Sequence, residues 1–171
     1  MTDKKINSLQ DIEQLREQLL SRHKDSKARV LICMTGCRAL GAGRVAAKFR
    51  EKLKSRALEA QVEVVETGCV GICAAAPVVL IEPYEYLYGG VKPEDVEEII
   101  AETIEKGQSV ERLAVTQNGE VSAKLEEISF YKKQKKLVLE NCGRIDPKRI
   151  EDAIERGGYI AAIKAITEKS E

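Results

Sequence analysis

The sequence predicts an α/β fold, with a mixed four-stranded sheet and flanking helices, on three observations. Apolar residues alternate between helical and strand spacing over residues 9–107. Glycine, proline and polar clusters separate these segments at distances suited to short loops. The composition, 43% hydrophobic and 33% charged in 171 residues, is that of an ordinary domain with an appendage and excludes wholesale disorder.

Leu9 to His23 reads as an amphipathic helix, with Leu9, Ile12, Leu15, Leu19 and Leu20 at three-and-four spacing. That stripe is a candidate oligomer contact, although covering the sheet is its expected use. Lys24 to Lys27 is a polar turn. Ala28 to Cys33 is a branched apolar run, as for a strand covered on both faces. Met34 to Gly43 is a loop with three glycines, and Arg44 to Leu58 regains helical periodicity through Val45, Ala46, Phe49 and Leu53. Gln61 to Glu66 reads as a second strand, followed by the loop Thr67 to Ala76.

Pro77 opens a third strand, Val78 to Ile81, paired through the Glu82-Pro83 turn with a fourth, Tyr84 to Tyr88. Tyr84, Tyr86 and Tyr88 are expected on one face of it. Lys92-Pro93-Glu94-Asp95 starts a helix, with Pro near its first position and acids in its first turn. Its stripe is Val96, Ile99, Ile100 and Ile104, and it stops at Gly107. A thioredoxin-like layout, with a mixed sheet and helices on both faces, accommodates this order.

Residues 111–140 read as a connector, with Asn118-Gly119 turning a hairpin between Leu113–Thr116 and Glu120–Ala123. Asp146-Pro147 signals a helix start, with the stripe Ile150, Ala153 and Ile154 ending at Gly157-Gly158. A last helix spans Ile160 to Thr167. The expected organisation is therefore a helix in residues 1–27 packing on the sheet, a domain over 28–110, the connector 111–140 and a helical segment 141–171. Residues 111–171 show no core of their own.

Lys plus Arg and Asp plus Glu each number 28, and residues 1–110 carry 16 basic and 17 acidic side chains. Neither the whole nor a part has the basic field that holds nucleic acid. Scarce aromatics (4%, no Trp) disfavour base stacking. The apolar runs are too short for membrane insertion. The opening MTDKKINSLQDIEQ lacks the apolar stretch of a secretory signal, so a cytoplasmic location is expected, where structural disulfides are rare. The five cysteines then point to metal or redox chemistry.

Four of them form two pairs, Cys33-Met-Thr-Gly-Cys37 and Cys69-Val-Gly-Ile-Cys73, with 31 residues between the pairs. That gap holds one helix and one strand, so both pairs follow neighbouring parallel strands and their loops converge. Gly36 and Gly71 let the backbone curl and offer N–H groups to a negative centre.

On these residues a resemblance becomes specific. VLICMTGCRALGAGRVAAKFREKL and VEVVETGCVGICAAAPVVLIEPYEYLYGGVKPEDVEEII together resemble the thioredoxin-like 2Fe-2S ferredoxin family. FYKKQKKLVLENCGRIDPKRIEDAIERGGYIAAIKAI is similar to the segment preceding the flavin domain in the NADH-binding flavoprotein subunit of respiratory complex I. In this order, both look like the fused flavoprotein (beta) subunit of NAD-linked iron hydrogenases and related formate dehydrogenases. The resemblance implies a 2Fe-2S cluster on Cys33, Cys37, Cys69 and Cys73, passing single electrons to other redox subunits. It also implies that the chain is an N-terminal fragment binding neither FMN nor NAD(H), which belong to the full-length parent. The first pair departs from the family in being more tightly spaced.

Each singled-out feature has a plainer use. The pairs could hold a structural zinc, or stand empty, in an interaction module of a multisubunit complex. The pair spacing fits zinc, while the long separation and the parallel strands do not. A thiol–disulfide switch at Cys33 is opposed by the extra residue and the matching second pair. Gly41-Ala-Gly43-Arg-Val-Ala46 imitates a dinucleotide fingerprint, but a cysteine loop separates it from its strand. Cys142 reads as a small buried hydrophobe and His23 as a helix-end residue without function. Lys132, Lys133, Lys135 and Lys136 read as a solvated face or a docking stretch for a partner subunit.

Overall fold

The computed structural model describes residues 5–23 and 26–168, divided between two compact units. One unit is residues 26–146; in the other, the N-terminal residues to 25 join those from 147 onward. No helix among the described residues is long and apolar enough to cross a membrane.

The larger unit holds the sheet, in the order β2-β1-β3-β4. β1 (Ala28–Cys33) pairs parallel with β2 (Val62–Thr67) and antiparallel with β3 (Val79–Glu82), which pairs antiparallel with β4 (Tyr86–Tyr88). Alternation along this register assigns the faces. Val30, Ile32, Val79, Ile81, Tyr86 and Tyr88 share one face; Arg29, Leu31, Val65, Leu80 and Leu87 share the other.

On the first face, α2 (Ala42–Ser55) buries Val45, Ala46, Phe49 and Leu53. Beside it runs α3 (Val96–Glu98), opened by a 3-10 turn at Pro93–Asp95 and continued as a π-helical segment, Ile99–Glu105. Lys52 of α2 and Arg56 just after it pair with Glu97, and Arg56 also with Glu105. The three tyrosines stand together as expected, Tyr84 stacked on Tyr86 at 6.0 Å and Tyr86 tilted to Tyr88 at 6.3 Å. Tyr84 itself belongs to the β3–β4 turn, where Glu85 takes a positive φ of 55°.

The expected hairpin forms as β5 (Val115–Gln117) and β6 (Glu120–Ser122). It closes the outer edge of β4, with the N–H of Leu87 bonded to Ala123 O (2.7 Å) and that of Gly89 to Leu113 O (2.9 Å). A covered edge strand is a protected one. Val110, Leu113, Val115, Ala123 and Ile128 enter the sheet's core rather than forming another.

The second face carries an ion network. Arg29 pairs with Glu63 and Glu82 at 3.0 Å each, and Arg144 with Glu82 and Glu85 at 2.7 Å each. Arg144 thereby ties the stretch just after the connector to the β3–β4 turn, and its carboxylate partners, Glu85 first, hold its guanidinium pKa above the ordinary value.

In the smaller unit, α1 (Leu9–His23) starts where Ser8 Oγ accepts the Asp11 N–H (3.2 Å). Its stripe was expected on the sheet; Ile12 and Leu19 are instead buried with Ile154, beside Leu9, Leu15, Ile160 and Ile163. The reason is that α5 (Ile150–Glu155) and α6 (Ile160–Glu168) offer a second apolar surface. Arg16 Nε also donates to Glu155 O at 2.9 Å, capping α5. The helix expected from Asp146-Pro147 begins only at Ile150, because Arg149 is extended (φ −110°, ψ 117°). A Cβ on Gly158 would lie 2.7 Å from Ala153 O, so only glycine fits the α5–α6 junction. Lys24 and Asp25, and the His23 side chain, lie outside the described residues.

Two expectations test this packing. Tyr88 is fully buried, its hydroxyl 2.6 Å from Thr103 Oγ1 and accepting the Val110 N–H at 3.1 Å. Tyr88→Phe leaves that N–H unpaired and should cost about 1–3 kcal/mol, read as a lower urea midpoint at unchanged slope. Arg144→Met strips a cation from Glu82, whose side chain is 17% exposed, and should cost a similar amount by the same measurement.

Candidate metal centre

Parallel pairing sets Cys33, the last residue of β1, opposite Thr67, the last of β2. Both cysteine loops therefore leave the sheet at one edge. They are stitched there by the Met34 N–H to Thr67 O (2.9 Å) and the Cys33 N–H to Val78 O (3.3 Å). The first loop forms a 3-10 turn, Gly36–Leu40, and Gly41 at φ +97° redirects it into α2. Cys33 and Cys37 are each 2% exposed. The second loop carries Cys69, half-buried, and Cys73, exposed at the start of a 3-10 turn, Cys73–Ala75.

Within each pair the thiols influence one another's ionisation, Cys33 with Cys37 and Cys69 with Cys73. The pairs also feel each other, since Cys33 and Cys73 interact electrostatically. Donors surround the sulfurs. Gly71 N–H points to Cys69 Sγ (3.3 Å), and Thr35 Oγ1 lies 3.4 Å from Cys33 Sγ. Burial raises the Cys33 thiol, but the hydrogen bonds from Thr35, Cys37 and Val70 outweigh it and bring it below the ordinary value. Cys37, buried and beside Cys33 and Cys73, is pushed up to about 11.

Cysteine sulfurs with N–H and hydroxyl donors beside them are a donor set that fits an iron–sulfur group. A zinc centre gathers four sulfurs about one point, each about 2.3 Å from the metal. Among the described residues no group of three or more His, Cys, Asp or Glu side chains is drawn together that closely. Two thiol pairs suit two irons joined by inorganic sulfide, and N–H donors aimed at sulfur are the means by which such centres are tuned.

The two loops that carry the four cysteines singled out in the sequence leave neighbouring strands at the same end. Cys142 does not join them; it is half-buried on the wall of a cavity of about 400 Å³ lined also by Leu80, Leu87, Tyr131 and Arg144. Gly41 and Gly43 follow the cysteine turn and lead into α2, which leaves the dinucleotide-like pattern apart from its strand.

The neighbours missed in the sequence come from the connector and the residues just after it. Phe130 packs against Gly71, where an added Cβ would lie 3.4 Å from its ring, and Gly71 itself takes φ +99°. Tyr131, at the middle of α4 (Ser129–Lys132), donates its hydroxyl to Val70 O at 2.8 Å. Lys136 Nζ lies 5.0 Å from the centre of the Tyr131 ring and 3.5 Å from the same carbonyl. A Cβ on Gly143 would come within 2.6 Å of Val70 Cγ1, and Thr67 Oγ1 donates to Ile145 O (2.7 Å). Lys132, Lys133 and Lys135 are exposed as expected, while Lys136 is half-buried in this contact. Burial, then the charges of Cys69, Cys33 and Cys73, push the Tyr131 phenol up to about 12, so it remains a donor. The signal available beforehand was compositional: Phe130 and Tyr131 are adjacent aromatics in a polar stretch of a chain with two Phe and five Tyr.

The comparisons with known proteins agree with this geometry. The profile of the thioredoxin-like 2Fe-2S ferredoxin family matches residues 18–104. A 2Fe-2S ferredoxin of Clostridium pasteurianum is 46% identical over 67 residues, which are 39% of this chain and 66% of that protein. The 2Fe-2S ferredoxin of Aquifex aeolicus (strain VF5) is 37% identical over 81 residues, 47% of this chain and 73% of the relative. A solved structure of a cysteine-to-serine variant of the thioredoxin-like 2Fe-2S ferredoxin from Aquifex aeolicus superposes with a TM-score of 0.50 at 31% identity. It covers 53% of this chain and 99% of that one. With half of its length matched, and with the sheet and the two cysteine loops in place, the chain belongs to the thioredoxin-like 2Fe-2S ferredoxin family.

Proposed function

We propose that this chain carries electrons one at a time as part of a larger NAD(H)-linked oxidoreductase of the hydrogenase, formate dehydrogenase or NADH dehydrogenase kind. Cys33, Cys37, Cys69 and Cys73 are the ligands in this reading. The observation that supports it most is the parallel pairing that brings both cysteine loops out at one end of the sheet, with the Gly71 N–H directed at Cys69 Sγ.

A bound 2Fe-2S cluster supplies a one-electron couple whose potential answers to net charge, hydrogen bonds to sulfur and exposure. The chain's own residues set those three quantities. Cys33 and Cys37 sit away from water, whereas Cys73 is exposed, so the site is open on one side. Gly71 presents its N–H, and Thr35 its hydroxyl, where negative charge gathers.

The wider context rests on the resemblance of residues 130–166 to the segment preceding a flavin domain. In such a parent, FMN and NAD(H) belong to the flavin domain, and the partners are other redox subunits in the cytoplasm.

Purified without oxygen, the chain should be red-brown and hold about two iron and two sulfide. Cys69→Ser should remove most of that iron, and Cys142→Ser none. Colourless protein with about one zinc per chain would establish the rival, an interaction module with a structural ion. The NAD(H)-linked context has its own readout. NADH alone should leave the visible absorbance unchanged, and NADH with an FMN-containing NADH oxidoreductase should bleach it. Bleaching by NADH alone would contradict the division of labour.

A further inference from the structure

The carbonyl of Val70 and the N–H of Gly71 belong to one peptide group, and both of its ends are engaged. Its N–H donates to Cys69 Sγ at 3.3 Å. Its oxygen accepts the Tyr131 hydroxyl at 2.8 Å and faces Lys136 Nζ at 3.5 Å. The peptide can turn this way because Gly71 takes φ +99°, a conformation that costs glycine little. Phe130 packs against Gly71, its ring 3.4 Å from where a Cβ would stand, and lies edge-on to Tyr131 at 5.0 Å between ring centres. The connector therefore clamps this peptide from its oxygen side.

We propose that Tyr131 and Lys136 are positioning residues of the redox centre, which aim and polarise the Gly71 N–H at the Cys69 sulfur and so raise the reduction potential. A donor and a cation on the oxygen withdraw electron density through the amide, and hydrogen bonds joined in series strengthen one another. A stronger N–H···S bond favours the state with one more negative charge on the sulfur ligands. Neither residue touches the sulfurs; both act through the peptide. The inference rests on the ligand assignment proposed above, with Cys69 among the ligands.

The test is an EPR-monitored redox titration of the loaded chain, with dithionite and mediators supplying one electron per cluster, on wild type, Tyr131→Phe and Lys136→Met. Tyr131→Phe keeps the ring and changes no charge, so a change in potential reads the hydroxyl alone. The expected result is a more negative potential, with the reduced-to-oxidised ratio at fixed applied potential falling at least threefold. That is about 28 mV at 59 mV per decade for a one-electron couple. Lys136→Met should shift in the same sense and keep its shift in about 1 M salt, where screening acts within about 3 Å and removes long-range charge effects. It also serves if Tyr131→Phe fails to load. A wild-type potential in Tyr131→Phe at full iron and sulfide content overturns the proposal. So does a Lys136→Met shift that vanishes in salt. Failure of the wild type itself to hold iron and sulfide would instead sink the ligand assignment.

Discussion

Parallel pairing of β1 with β2 is the constraint on which the site depends. Two loops that leave adjacent parallel strands at the same end have to meet, and the register Cys33 opposite Thr67 fixes where. A shift of one residue would turn Cys33 to the other face and separate it from the second loop. The pairing is secured from both sides of β1. Val30 and Ile32 pack under α2, while Arg29 is held between Glu63 and Glu82 on the opposite face. Burial resists slippage on one face, and charge complementarity resists it on the other.

That arrangement explains which parts of the molecule were legible in the sequence. The cysteine pairs, the glycines within them and the strands before them are local patterns, and the right-handed β–α–β rule converts them into a spatial statement. The stripe of α2 was legible for the same reason. The stripe of α1 was legible as a stripe, but periodicity says which face is apolar and not what covers it; Ile12 and Leu19 are buried with Ile154. The start of α5 was misread because Asp-Pro is only a local cap signal, and the extended Arg149 delays the helix. Tyr131 was the largest omission. Its partner Val70 lies 61 residues earlier, and no period or spacing links the two.

The connector, which lacks a core of its own, still finds several kinds of partner in the larger unit. The hairpin closes the β4 edge with backbone hydrogen bonds, Ile128 joins the core, and just beyond the connector Arg144 reaches Glu82 and Glu85. Between these anchors, Phe130, Tyr131, Lys136 and Gly143 lie over the Val70–Gly71 backbone. The anchors keep the intervening side chains from losing as much entropy as they would on a free strand, since the backbone is already ordered. Leu137, Val138 and Leu139 escape this embrace, Val138 being 97% exposed, although the residues on either side of them are bound.

The four sulfurs are unequal, and the inequality has a physical logic. Cys33 and Cys37 are buried among β1, the first loop and the Val78 backbone, where water cannot compete for the N–H donors. In such surroundings each hydrogen bond to sulfur is stronger than in water, and each missing one costs more. Cys73 lies at the opposite extreme, exposed, at the mouth of the second loop. Cys69 falls between, and it is there that the connector supplies what burial does not, by fixing the peptide whose N–H it receives. An electron carrier needs one side near the surface for transfer and the other shielded so that its charge is set by the protein rather than by solvent. With the first pair enclosed by the fold and the second braced by a segment 60 residues downstream, the chain meets both demands at a single sheet edge.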